Sequence, residues 1–217
     1  MRGGLVYGLS LVLAFCSFYY ELALGQILSV NLGGTKQQYF IIFALFTTAL
    51  GFGSLCFGRL KKNYPLEKIF VGVEIALTLL GGLSPFVITG LFASLSTFWA
   101  AAISYFLVFS IGFASGFELI CLFTLLPQNH GKILTFDYLG MLAAALLFPY
   151  YLLPELGVGA STVLVATLNL AALTVIMPLG PKMRLALSAV VGISVLLSYQ
   201  QQDTLQDFLV KLYLGAK

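Results

Sequence analysis

Charge is scarce in this chain. Only 9% of its 217 residues are Asp, Glu, Lys or Arg, against about 25% in an ordinary soluble domain. So few charges cannot clothe a water-facing surface, which excludes a soluble globular enzyme. Histidine is almost missing: His130 stands alone, in a loop between apolar runs. One imidazole without clustered cysteines builds neither a zinc nor a haem centre, so no metal and no cofactor is expected. The three cysteines, Cys16, Cys56 and Cys121, are far apart inside apolar runs, and an odd, scattered set gives no disulfide framework. Gly33-Gly34 and Gly81-Gly82 do not open a phosphate-binding GxGxxG loop after a strand. No Ser-His-Asp or Cys-His set can be assembled at one depth around a lone loop histidine. Eleven basic against eight acidic residues leave a net charge of +3, with no basic stripe of the kind that grips nucleic acid.

Apolar sequence is what the chain has in abundance. Hydrophobic residues make up 60% of it, and the mean hydropathy is +1.01. A membrane-crossing helix needs about 20 apolar residues, so the expected partner is the lipid bilayer. The expected fold is all-α: a polytopic bundle of about seven transmembrane helices. The predicted spans are Leu5 to Val30, Tyr39 to Gly58, Ile69 to Phe92, Phe98 to Leu126, Ile133 to Leu153, Ala160 to Met177, and a short seventh, Leu185 to Tyr199. Continuous apolar runs without strict alternation argue against a barrel. The first run is too long for a signal-peptide core and carries Glu21 beside the small-residue Ala23-Leu24-Gly25, so it reads as a retained span.

Basic residues orient the bundle. Arg2, the Arg59-Leu60-Lys61-Lys62 run, Lys68, Lys132, Lys182 and Arg184 fall on one side, and only Lys36 falls on the other before the tail. By the positive-inside rule the N-terminus is cytoplasmic. The chain divides into a helical domain, 1–199, and a tail, 200–217. In the tail Leu205, Phe208, Leu209 and Leu212 recur at helical spacing, as in an amphipathic surface helix; a solvated, frayed tail is the competing reading.

Glycine and proline punctuate the helices. Gly81-Gly82 followed by Pro85 predicts an interruption of the third span, with freed backbone groups facing protein or a water-filled cavity. Small residues four apart allow close helix approach: Gly112-Gly116, Thr47-Gly51, Ala49-Gly53, Ser54-Gly58 and Gly140-Ala144.

The residues most able to carry chemistry are carboxylates within spans. Glu21 lies ten residues before Asn31, about 15 Å at 1.5 Å per residue, and Glu118 is comparably deep. A charge at that depth costs roughly 2.5–3.5 kcal/mol on insertion scales. No Lys or Arg lies at the same depth, which leaves a protonated carboxyl, hydrogen bonds to neighbouring helices, or an external cation. Glu74 and Asp137 are expected to be shallower, with Glu74 snorkelling and Asp137 capping the fifth span or pairing with Lys132. Tyr19, Tyr20, Tyr105 and Tyr138 are aromatic candidates for cation–π contact with an organic cation. The structural alternative is that Glu21 and Glu118 are buried, hydrogen-bonded groups that fix helix register. Tyr20-Glu21-Leu22 in the first span matches Phe117-Glu118-Leu119 in the fourth, which hints at an inverted 3+3 repeat with one added helix.

Two stretches carry a family resemblance. Residues Tyr20-Glu21-Leu22-Ala23-Leu24-Gly25-Gln26-Ile27-Leu28 with Leu50-Gly51-Phe52-Gly53-Ser54 form the first. Asp137-Tyr138-Leu139-Gly140, Leu147-Phe148-Pro149, Leu152-Leu153-Pro154, Leu156-Gly157 and Asn169 form the second. Together they resemble the transmembrane half of bacterial membrane-bound spermidine synthase-like proteins, polyamine aminopropyltransferases with a helical membrane domain. The tail residues Leu205-Gln206-Asp207-Phe208 to Leu212-Tyr213 resemble the connector to the family's soluble synthase domain. The resemblance implies a bacterial inner membrane, a polyamine ligand, and Glu21, Gln26, Asp137 and Tyr138 as positions to test. The family's Gly-rich loop and acidic residues for decarboxylated S-adenosylmethionine have no counterparts here. The expectation is therefore a chain that lacks the synthase domain and is not catalytic on its own. It would anchor or partner a separate synthase-like enzyme; the alternative is a transporter or channel-like module for polyamines or related cations.

Overall fold

The computed structural model describes residues 3–127 and 129–176. The expected seventh span, Leu185 to Tyr199, and the tail 200–217 lie outside them. The described residues contain no strand. They form α1 (Gly3–Leu32), α2 (Thr35–Lys61), α3 (Leu66–Ser94), α4 (Thr97–Leu125), α5 (His130–Leu147), a π-helical segment (Phe148–Leu156) and α6 (Gly157–Ile176). The first six predicted spans fall on helical segments whose ends lie within a few residues of the expected ones, the fifth covering both α5 and the π-helical segment. Five helical stretches are long and apolar enough to cross a membrane, the fifth running 44 residues from His130 to Leu173.

That fifth stretch doubles back. A straight helix of its length would measure about 66 Å at 1.5 Å per residue, twice the roughly 30 Å hydrocarbon core. Pro149 and Pro154 each lack a backbone donor, and Gly157 takes φ +68°, a backbone region that glycine enters freely. The register against α1 shows the reversal. The Tyr7 ring stacks on Phe136 and the Tyr19 ring meets the edge of Phe148, so α5 runs parallel to α1. Along α6, Tyr19 faces Thr162, Cys16 faces Val165, and Leu9 and Val12 line one groove with Leu168 and Ala172, so α6 runs antiparallel.

Close packing uses only some of the small residues. α2 lies parallel against α4, and a side chain added at Gly112, Gly116 or Gly53 would strike the backbone carbonyl of Phe46, Leu50 or Phe113. Gly140 sits likewise against the Leu11 carbonyl on α1. Gly51 and Gly58 face open space, so of the three small pairs in α2 only Ala49-Gly53 serves an interface.

The expected interruption of the third span does not occur. α3 is continuous through Pro85. Proline removes the donor that would have met the Gly81 carbonyl, and the Ser84 hydroxyl donates to that carbonyl at 2.7 Å instead. Gly81 and Gly82 admit neighbours: the Tyr20 ring lies against the first and Ala166 against the second.

The outside of the bundle is greasy. Phe40, Leu55, Phe98, Phe106 and Tyr150 are all more than 70% exposed. The acids within the spans, Glu21, Glu74, Glu118 and Asp137, are all buried in the interior, as charged groups at membrane depth should be.

Candidate functional site: a buried acidic cluster

Three carboxylates meet near one end of the bundle. Glu118 on α4 lies seven residues from Leu125, Asp137 on α5 seven from His130, and Glu74 on α3 eight from Leu66. At 1.5 Å per residue each is about 10–12 Å inside the end that carries the α2–α3 and α4–α5 links. Alternating helix direction puts them at one level.

Glu118 is held by serines. The Ser17 hydroxyl of α1 donates to Glu118 Oε2 at 2.9 Å, and the Ser115 hydroxyl donates to Ser17 Oγ at 3.1 Å. Ser115 and Glu118 share a face of α4 through i,i+3 spacing. Asp137 and Glu118 line a cavity of about 20 Å³ with Ala14, Leu50 and Met141. Glu74 interacts electrostatically with Glu118. The Asn169 amide of α6 donates to the Glu74 backbone carbonyl and to Thr78 Oγ1 and lies beside the Glu74 carboxylate, neither oxygen of which is within hydrogen-bond geometry of a donor. Every buried charged side chain among the described residues is acidic.

Two expectations need correction here. Glu74 does not snorkel: it is 0% exposed, because α3 packs between α4 and α6 and leaves it no route to water. Asp137 neither caps α5 nor reaches an end; the helix begins at His130, and Asp137 is buried two turns inside.

The other candidates are dispersed. Glu21 is buried but apart, in a groove of about 320 Å³ between α1 and α2 whose outer wall is the exposed Phe40 and Phe43. Gln26 accepts a hydrogen bond from the Tyr39 hydroxyl at 3.0 Å, and Tyr105 donates to Gln38 at 2.8 Å. Tyr138 is 60% exposed on the outer face. Tyr20 is fully buried near Glu74 and Glu118, with its hydroxyl unpartnered. Its neighbour Tyr19 bonds Ser161 and Thr162. Sequence reasoning passed over Ser17 and Ser115 and named Asn169 only for the family resemblance. The signal for the serines was a small polar side chain one helical turn before an intramembrane acid, as Ser17 is before Glu21 and Ser115 before Glu118. Among the described residues no group of His, Cys, Asp and Glu is disposed to hold a metal ion.

Comparison with known proteins gives the site its context. Over 153 residues the chain is 36% identical to polyamine aminopropyltransferase 2 of Ralstonia nicotianae, a match covering 67% of this chain and 30% of that protein. The chain is similar to polyamine aminopropyltransferases. The polyamine aminopropyltransferase of Leptospira interrogans is 30% identical over 165 residues, covering 73% of this chain and 32% of the relative. That of Oceanobacillus iheyensis is 28% identical over 180 residues, covering 80% and 35%. The chain spans about a third of the length of these curated aminopropyltransferases. No protein-family model matches it, and no solved structure does.

Proposed function

We propose that this chain is a membrane module that holds an aminopropyltransferase-type enzyme at the bilayer. The observation that carries the reading is the match itself: an all-helical stretch with an apolar exterior aligns with about a third of proteins named for aminopropyl transfer. The remaining two thirds of the Ralstonia protein, expressed as a separate chain, provides the test. It is expected to sediment with membranes when this chain is co-expressed and to lose that association when residues 200–217 are deleted. A partner that stays soluble in both cases rejects the reading.

A second reading, passage of polyamines or related organic cations, is favoured by one specific observation: the interior holds four acids and no base among the described residues. We read the helices as an inverted repeat in its support: an offset of 97 residues carries Tyr20-Glu21-Leu22 onto Phe117-Glu118-Leu119. The principal packings, α1 on α5 and α4 on α2, exchange under the same relation, as inverted transporter repeats do. We assign the cytoplasmic face to the end bearing Arg59, Lys61 and Lys62. Labelled spermidine is expected to enter liposomes containing the protein, and less so with Glu21→Gln; flux no greater than into empty vesicles removes this reading and leaves the first.

A further inference from the structure

Three side-chain atoms among the described residues are fully buried without a hydrogen-bond partner: Oε1 and Oε2 of Glu74 and the hydroxyl of Tyr20. They come from different helices, α3 and α1, and interact electrostatically with each other and with Glu118. Folded chains satisfy nearly all such groups. An ionised carboxylate without a counter-charge is costlier still. No Lys, Arg or His is buried among the described residues. Glu74 therefore takes up a proton or a cationic ligand.

Glu74 is 0% exposed and both its oxygens are fully buried, which leaves a proton. Glu74 and Tyr20 do not line the cavity joining Glu118 to Asp137; that cavity is about 20 Å³, and a water needs at least about 10–15 Å³ measured in the same way. One water fits there; a polyamine does not. Donors disposed for a metal ion are absent among the described residues.

We propose that Glu74, Glu118 and Asp137 form an internal proton-binding site. The proton rests on Glu74 or on Glu118, and one water links Glu118 to Asp137. The titratable groups around Glu74 are Cys16 and Tyr20 on α1 and Glu118 and Cys121 on α4. Asp137 on α5 faces Glu118, and α6 contributes the uncharged Asn169. Exchange runs toward the α4–α5 link, because Asp137 is about 10 Å from it. The inference goes beyond recruitment or cation passage and stands whichever holds.

The test joins two readouts on the full-length protein in detergent micelles. Dicyclohexylcarbodiimide modifies carboxyl groups that hold a proton in an apolar place, and mass spectrometry locates the adducts. Infrared spectroscopy reads the carbonyl stretch of a protonated carboxyl directly. The expected result is an adduct on Glu74 or Glu118 at neutral pH, a matching infrared band, and a decline of both by about tenfold per pH unit beyond the midpoint. Glu74→Gln should diminish the band, with Glu118→Gln as the second variant should the first not fold. Spermidine should not protect. Absence of the band in the unmodified protein overturns the proposal. So does protection by spermidine, which would place an organic cation where the proton is assigned.

Discussion

Glu74 and Ser17 sit in one cluster and are expected to respond oppositely to truncation. The Ser17 hydroxyl spans two helices, bonded to Glu118 and Ser115, so Ser17→Ala should lower stability in detergent by about 1 kcal/mol, the net worth of a typical hydrogen bond. The Glu74 carboxylate makes no such bond. Burying a polar group without a hydrogen bond costs free energy that an apolar residue of similar size does not incur, so Glu74→Leu is expected to leave the unfolding temperature unchanged or higher. A loss of about 1–3 kcal/mol, the cost of orphaning a partner, would instead make Glu74 a structural ligand of its neighbours. Glu118 was legible in the sequence because depth follows from counting residues to the nearest polar break. Glu74 was misread by the same count. Distance from a helix end does not say which helices cover that end, and the burial of Glu74 depends on α6, some 95 residues away at Asn169.

Among the helices, the tightest contacts are backbone on backbone. Gly116 lies so close to α2 that a Cβ would strike the Leu50 carbonyl and come within 2.9 Å of the Ser54 nitrogen. Neither is the movable end of a side chain, so Gly116→Val must push the helices apart. A cost of about 1–3 kcal/mol or more is expected from overpacking, read as lower thermal stability in detergent. Gly51→Val is the matched control: the same residue type on α2, with nothing within 4 Å, and no loss is expected. Equal losses at both positions would mean that helix propensity, not packing, sets the cost. The existence and approximate ends of α1 to α6 were legible because apolar length is a one-dimensional property. Which glycines serve contacts was not. α2 carries small residues around much of its circumference, and only the position of α4 selects Ala49 and Gly53. The interruption expected at Gly81-Gly82 failed for a local reason: Ser84 meets the carbonyl that Pro85 leaves free, so the helix continues.

The topology of the whole molecule turns on Gly157. In the structure α5, the π-helical segment and α6 follow one another without a break, while the register against α1 makes them two antiparallel legs. The two arrangements place Glu155 differently. In a single tilted run it would be held among apolar neighbours far from water. In the folded-back bundle it is exposed at the turn, at the same end as Gln37 and Ser96 and opposite Asn63 and Gly131. Cysteines introduced singly at these five positions report the difference, because the native Cys16, Cys56 and Cys121 all lie within helices. With the N-terminus cytoplasmic, a membrane-impermeant maleimide applied to intact cells is expected to label Gln37→Cys, Ser96→Cys and Glu155→Cys. Asn63→Cys and Gly131→Cys should react only after permeabilisation. The reverse pattern at all five would invert the orientation and keep the fold. Failure of Glu155→Cys alone would break the antiparallel pairing of α5 with α6, and with it the exchange of packings on which the inverted repeat depends.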